Sequence, residues 1–555
     1  MIGVIAHPSE EAAVREFFEL FKTPWEFYDG KRNYDVLVCA GDCGFDQTAK
    51  LVLLYAGGKT QFDSDHDVEI ADQRRQRVLS YKKSRVPIYG EGVTFSRVEG
   101  NLIEDEISRK CAAYITRSGK SQVARIGYDL FSEIRKLLTC SQPLANASIP
   151  TVELHISVLR DLITSCGFPL VEIPPVPEGH RFMVCLTHDV DNPSIRKHRW
   201  DHAMFGFLYR AVFGSTVNFI GGRLRLRDLT RNLAAAAKLP FIYVGLAKDF
   251  WCKFDDGYLD LERGLSSTFF VIASKNKSGE RVDKRAQKRR ASRYEARDIA
   301  DAIQKLMAAG REIGLHGVDA WLDREQGRQE FEEIRRLTAV SEVGVRMHWL
   351  YYDDASPAAL EKAGAAYDST VGYNETVGYR AGTIQAYKPL QANRMLELPL
   401  HVMDTALFYP DYLGLSPTEA RLIVHRMIDD AIQFGGCLTI NWHDRSLFPE
   451  RLWGKFYREL LEDLKTRGAW FATARQAVAW FQKRRATVFE ANLTEPEAVC
   501  ARVNSEDGCD SPRLLLRLHE PGFARPVGAS EGYVDLPFQR QGRHALNSEA
   551  CQRMI

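Results

Sequence analysis

From Phe182 to Gln482 the chain repeats one pattern. Short apolar stretches (MVCLTHD, STFFVIAS, EIGLHG, GVRMHWL, AAYDST, MLELPLHV, CLTINWHD) alternate with amphipathic segments such as SRYEARDIADAIQKLMAAG, REQGRQEFEEIRRL and SPAALEKAG. Apolar runs this short, bounded by turn residues, read as buried strands, and the segments between them carry helical spacing. Strands alternating with helices over such a span predict a parallel sheet in a barrel-like α/β domain rather than a sandwich. Chemistry in such folds gathers at the carboxyl ends of the strands. Several of those ends carry a polar, reactive residue: Asp189, His316, His348, Asp404 and His443. A single terminal histidine would suit a structural role; the repetition points to a site.

The flanking sequence suggests further domains. Residues 1–175 open with the strand candidate MIGVIAH, an amphipathic helix SEEAAVREFFELF with Ser9 as its expected cap, and the strands PWEFYD and YDVLVCAG, a smaller α/β domain. The Pro-rich VEIPPVPEGHRF, Val171 to Phe182, is the expected linker, because proline cannot continue a helix. The barrel-like domain is expected over 180–485. A small β appendage and loose tail, with strand candidates LLLRLHE and GYVDLPF, is expected over 486–555. With 74 basic residues against 73 acidic ones, no overall field favours nucleic acid as a partner. The amino terminus lacks an export-signal pattern, no apolar run reaches membrane-spanning length, and the 11 cysteines include no C-x-x-C pair. A cytoplasmic protein with buried thiols is the expectation.

Two stretches place carboxylates close together: CLTHDVDN (Cys185 to Asn192) and KFDDGYLDLE (Lys253 to Glu262). In the second, Phe254, Tyr258, Leu261 and Leu265 follow helical spacing, so Asp255 and Asp256 belong to a helix start and read as structural. The first follows a strand directly and is stopped by Asn192-Pro193. Its acids, Asp189 and Asp191, project from a strand end towards the other polar ends and are assigned the chemistry. Strand alternation turns His188 away from them.

On these residues, the region from about Phe182 to Gln482 resembles the polysaccharide deacetylase family (NodB homology, carbohydrate esterase 4). LTHDVD looks like a D-x-D variant of the family's first motif, similar to that of the lipid-linked 4-formamido-arabinose deformylases, and SSTFFVI matches the strand beyond it. EIGLHG resembles the second motif, the Arg of VRMHW the third, YDST or ELPLHVMD the fourth, and LTINWH the fifth. The resemblance implies a distorted (β/α) barrel. It also implies a metal-dependent hydrolase that removes an acetyl or formyl group from the nitrogen of an amino sugar in a cell-envelope glycan or its precursor. By the same resemblance Asp189 is the general base, Asp191 and His316 bind a divalent metal, expected to be zinc, and Arg346 keeps the base ionised. His443 then protonates the leaving nitrogen, with Asp368 or Asp404 holding it protonated. The chain departs from the family at Ala320, where a second metal-binding histidine is usual; His348 is the favoured replacement and Asp319 the other. A silent carbohydrate-binding relative and a hydrolase of a non-sugar amide are the alternatives.

Trp349, Trp321 and Tyr379 suit either stacking on a sugar ring or the core. Arg380 suits a substrate loop or a structural salt bridge, and His401 the pocket wall or the core. Between LTHDVD and STFFVI lies an insertion, about 196–250, in which ten Lys or Arg stand against two Asp from Arg196 to Lys248, interleaved with aromatic residues. A second basic run, DKRAQKRRASR, follows STFFVI. Such stretches fit a helical lid or an interfacial helix on anionic lipid at the inner face of the membrane. The expected partner is a carbohydrate substrate, polymeric or lipid-linked.

Overall fold

The computed structural model describes residues 1–42, 49–281, 287, 289–491, 499–503, 511–521 and 532–538. Residues 283–286 and 288 of the second basic run and the tail beyond 538 lie outside them. The chain divides into two compact units, Met1–Gly179 with Tyr379–Leu390 and Ala479–Ile555, and His180–Gly378 with Gln391–Val478.

The first unit carries a nine-stranded mixed sheet. Its strands are Ile2–Ile5 (β1), Trp25–Phe27 (β2), Val36–Ala40 (β3), Leu51–Tyr55 (β4), Glu69–Tyr81 (β5), Ser84–Ser96 (β6), Asn101–Asp105 (β7), Cys111–Ser118 (β8) and Ser121–Ile126 (β9). They lie in the order β2-β1-β3-β4-β9-β8-β6-β5-β7. The sequences VLVCA and LVLLY of β3 and β4 are buried throughout, as central parallel strands covered on both faces must be. The first α-helix, Glu11–Phe21, follows a 3₁₀ turn over Pro8–Glu10. The His7 ring accepts the Ser9 N–H there, so Ser9 is not the cap. Leu515–His519 pairs antiparallel with Leu170–Glu172 (β10) and with Tyr533–Pro537. This C-terminal stretch, expected as a separate appendage, therefore belongs to the first unit. Its docking depends on a pairing partner far away in sequence.

The second unit is a distorted parallel barrel. Phe182–Val190 (β11), Thr268–Val271 (β12), Glu312–Gly317 (β13), Val345–Met347 (β14), Val402–Met403 (β15) and Cys437–Asn441 (β16) run in the order β14-β13-β12-β11-β16-β15. Two irregular segments complete the circle. Asp368 bridges Val345 on one side and Glu397 on the other, and His401 N–H bonds the Thr439 carbonyl at 3.1 Å. The distortion has a visible cause: Ala469–Ala472 (β17) pairs with the first half of β11, while β12 pairs with its second half. Helices Ala300–Ala308, Arg324–Thr338, Ser356–Ala363, Pro417–Phe434 and Trp453–Thr466 connect the strands. The longest, Pro417–Phe434, starts on a capping box between Ser416 and Glu419. β11 is buried at every position, and its alternation sends His188 and Asp189 to opposite faces.

The insertion after β11 is helical. His202–Leu208, Tyr209–Gly214 and Ser215–Ile220 run on continuously and are followed by Leu226–Tyr243. One side packs Ala203, Met204, Phe207, Leu239 and Ile242 against Trp251. The other leaves Trp200, Phe205, Tyr209, Phe213, Val217 and Ile220 exposed. By length and composition His202–Ile220 is apolar enough to cross a membrane, where the sequence reading expected no such run.

Candidate metal and acid–base site

Asp189 lies inside the barrel near the end of β11, and three hydrogen bonds with Arg346 and Asn441 fix it. Arg346 Nη1 donates to Oδ1 at 3.1 Å, Asn441 Nδ2 donates to Oδ2 at 2.8 Å, and the Asp189 N–H donates to Asn441 Oδ1 at 3.1 Å. Arg346 is wholly buried. It also donates to Thr187 Oγ1, Ser369 Oγ and the Ser369 carbonyl, and it packs over the Phe270 ring with its Cζ 4.6 Å from the centroid. A guanidinium so fully used has one orientation, and it presents its charge to Asp189.

Two residues on, Asp191 leaves the strand. The Asn192 N–H donates to Asp444 Oδ2 at 2.9 Å and ties this loop to the one after β16. Asp191 Oδ1 lies 3.3 Å from His316 Nε2 and 3.7 Å from His348 Nε2. The potential ligand atoms of the three residues all fall within 4.8 Å of one another. His316 Nδ1 is 2.9 Å from the Arg346 carbonyl, which can only accept, so the ring proton sits on Nδ1 and Nε2 offers a lone pair. Lone pairs of Nε2 and a carboxylate oxygen thus meet at hydrogen-bond distance, and Asp191 Oδ1 is buried without a donor among the described residues. Two ligands about 2.1 Å from one ion at a tetrahedral angle stand about 3.4 Å apart. One carboxylate and two imidazoles at these separations therefore suit a divalent cation. Burial pushes the His348 imidazole down to about 3, which keeps it neutral as a ligand must be.

The position of His348 follows from an unusual turn. Trp349 and Leu350 both take left-handed backbone conformations, with φ of 64° and 52°, an arrangement that side chains of this size adopt only under tertiary constraint. Asn374 Nδ2 donates to the Trp349 carbonyl at 3.0 Å. Ala320 is buried, and helix Arg324–Thr338 comes close to it at Gly327, where an added Cβ would lie 3.3 Å from the Ala320 Cβ. Asp319 has a structural role, because its Oδ1 accepts the Glu280 N–H at 2.9 Å.

His443 follows β16. Asp404 Oδ1 is 2.6 Å from its Nδ1, and Asp404 Oδ2 accepts its backbone N–H at 2.8 Å. Burial opposes charge on this ring, but Asp404, with Asp191 and Asp189 behind it, pushes the imidazole up to about 10. Nε2 is left directed towards Asp191, 3.9 Å from Oδ2. Of the two acids considered, Asp404 is the one in contact with His443. Asp368 sits in the barrel wall beside Glu397, where burial raises both carboxyls.

Asp189, Asp191, His316, His348, His443 and Trp349 line one cavity of about 370 Å³. Trp321 is buried and does not reach it. Arg380 and Tyr379 belong to the Tyr379–Leu390 segment of the first unit, where Gln142 binds both their carbonyls, and neither lines the cavity. His401 is a core residue whose Nδ1 accepts the Thr439 N–H. His188 packs against the Tyr258 ring at a tilt and lies 2.9 Å from Glu262 Oε1. Asp255 and Asp256 stand in the first turn of helix Phe254–Leu261, paired with Lys305. Sequence reasoning missed Asn441, Arg445, Arg451, Tyr409 and Arg210. For the first a signal was present: Asn441 is a polar residue inside the apolar run CLTINW, two positions before His443.

No family model and no curated protein matches the chain. Among solved structures, it is similar to two proteins described as polysaccharide deacetylases. One, from Mycobacterium smegmatis, has 19% identity over 56% of this chain and 95% of that one, with a TM-score of 0.35. The other, from Pseudomonas aeruginosa PAO1, has 15% identity over 59% and 98%, with a TM-score of 0.35. A family 4 acetyl xylan esterase from Clostridium thermocellum, in complex with a cobalt ion, has 14% identity over 54% and 91%, with a TM-score of 0.25.

Proposed function

We propose that the protein is a metal-dependent hydrolase that removes an N-acyl group, acetyl or formyl, from an amino sugar of a glycan or glycan precursor. The observation that carries this reading is the sharing of one cavity by an Arg-held carboxylate, an Asp-held imidazole and the Asp191–His316–His348 cluster. A divalent metal held by that cluster, zinc being the best match to two imidazoles and a carboxylate, would supply an activated water and polarise the scissile carbonyl. Asp189, paired with Arg346 and oriented by Asn441, takes the proton of the attacking water. His443, its Nδ1 occupied by Asp404, gives the Nε2 proton to the departing amine, and Asp404 stabilises the imidazolium before transfer. Metal analysis of purified protein beside His316→Ala and His348→Ala tests the premise. Stoichiometric metal in the wild type and its loss in both variants is the expected result. A metal-free wild type would favour a binding protein that keeps only the groove.

The insertion suggests where the enzyme works. A bilayer-crossing helix would carry Arg210 and a wall of the cavity into hydrocarbon, whereas a helix lying flat buries only its exposed apolar side chains. The surplus of Lys and Arg in the same stretch suits an anionic surface. We therefore assign it to peripheral docking on the inner face of the membrane. Flotation with phosphatidylglycerol vesicles should carry the protein upward; recovery wholly in the unbound fraction would remove the membrane and leave the hydrolase.

A further inference from the structure

The cavity that holds the Asp191 cluster is also lined by Arg210, Arg445 and Arg451. They come from three separate segments: the Tyr209–Gly214 turn of the insertion, the loop just after His443, and the approach to helix Trp453–Thr466. Each has a buried Nε with no hydrogen-bond partner among the described residues. Among those residues no carboxylate lies within 4.0 Å of Arg210 or Arg451, and Arg445 has only Asp444, at 4.0 Å. Arg451 Nη1 donates to the Tyr409 hydroxyl at 2.9 Å. Aromatic faces hold two of the guanidinium groups in place, Trp251 beneath Arg445 at 4.8 Å and Trp453 beneath Arg451 at 4.7 Å. Two carboxyls, Asp444 and Glu450, also face the group. Burial raises both, Asp444 to about 6, and Asp444 Oδ2 is already taken by the Asn192 N–H.

Guanidinium groups desolvated together repel one another, and burial with that repulsion lowers Arg210 to about 10. A fold that retains such an arrangement, with donors left over, is short of an anion. A carboxylate offers two oxygens, enough for one arginine fork. A phosphate offers a tetrahedron of acceptors, which suits three forks arriving from different directions.

We propose that Arg210, Arg445 and Arg451, with the Tyr409 hydroxyl, form a phosphate subsite of this cavity, and that the amino-sugar substrate carries a phosphate ester or diphosphate. The assignment to substrate rests on the hydrolase reading above. Arg445 stands two residues from His443, so the subsite and the proposed acid belong to one binding event. Neutral glycan would bring no negative charge to the three guanidinium groups.

Calorimetric titration of the full chain with N-acetylglucosamine 1-phosphate, N-acetylglucosamine and inorganic phosphate tests this without turnover, so its failure is distinct from failure of the hydrolase reading. Both phosphate-bearing probes should bind, with the neutral sugar weaker by about tenfold or more. Arg445→Gln and Arg451→Gln should each weaken phosphate binding about tenfold or more, as loss of a charge-assisted hydrogen bond does. His316→Ala should retain it. Metal content reports whether each arginine variant is folded, and the cooperative thermal transition does so for His316→Ala; Arg210→Gln, on the insertion, serves where a buried variant is not folded. Phosphate binding unchanged in the arginine variants, or lost only in His316→Ala, overturns the proposal; the second result would place phosphate on the metal. Parallel sedimentation with phosphatidylcholine vesicles, with and without phosphatidic acid, separates the two sources of phosphate. If the variants lose only their vesicle binding, the arginines serve a lipid headgroup and the substrate assignment falls.

Discussion

Replacing Asp404 with asparagine isolates the charge that keeps His443 protonated. The carboxylate is fully buried, and it also accepts the Ser446 hydroxyl and the His443 backbone N–H, so the ring cannot turn away from it. The imidazole stands at about 10 against an ordinary 6.5. At about 1.4 kcal/mol per unit, that is roughly 5 kcal/mol favouring imidazolium, against a burial term that alone would favour the neutral ring. A dication on Asp191 would cancel the share that Asp191 contributes and leave Asp404 as the main source. The carboxamide keeps the shape and removes the charge, so the pKa of His443 should fall by about two units or more. Histidine ¹⁵N NMR reads this directly in metal-free and metal-loaded protein. With a deacylation substrate, the alkaline limb of kcat/KM should move to lower pH, because the acid must be protonated to act. Activity near pH 8 should then drop about 10²-fold. Stability carries the same signature. A histidine raised in the folded state contributes fully below pH 6.5 and loses that contribution as pH rises towards about 10, and the variant should flatten this slope. An unshifted His443 titration in folded Asp404→Asn would refute Asp404 as the controlling charge.

His443→Ala should lower turnover by about 10²–10⁴ with metal still bound; full activity would remove its role as acid. Changing Asp255 and Asp256 to Asn should leave turnover largely intact, since both acids serve Lys305, and a dead enzyme would return the chemistry to that pair. His188→Ala removes the imidazole that pairs with buried Glu262 and leaves that carboxyl to neutral hydroxyls such as that of Tyr457, and urea unfolding should show a loss of about 3–5 kcal/mol. A loss under about 1 kcal/mol would mean that the pair carries no charge. Asn441→Ala should cut turnover while leaving metal content unchanged, because it contacts Asp189 from two sides and touches none of the three ligands.

The parts of the site that were legible in the sequence are those that a strand carries to its own end. Asp189, His316 and His443 could be read because a buried parallel strand is a nearly continuous apolar run, and the polar residue that breaks it marks the rim. Strand parity likewise separated His188 from Asp189. What could not be read depends on chain that leaves the strand. Asp368 and Asp404 both follow apolar stretches, and only the bridge that locks Asp368 into the barrel wall leaves Asp404 for His443. Arg380 looked like a substrate-loop residue because nothing local signals that Tyr379–Leu390 belongs to the other unit. The arginine cluster draws on three loops and has no motif at all. Ala320 joins the two kinds of information. Ala320 packs against helix Arg324–Thr338 at Gly327, so the small residue at the usual ligand position also serves the close helix packing. His348 comes from the next strand, beyond that helix, and its approach to Asp191 depends on a left-handed turn at Trp349 and Leu350. No propensity favours such a turn at those residues; tertiary packing imposes it. A metal site assembled this way is therefore most sensitive where the sequence shows least, in the backbone of Trp349 and Leu350.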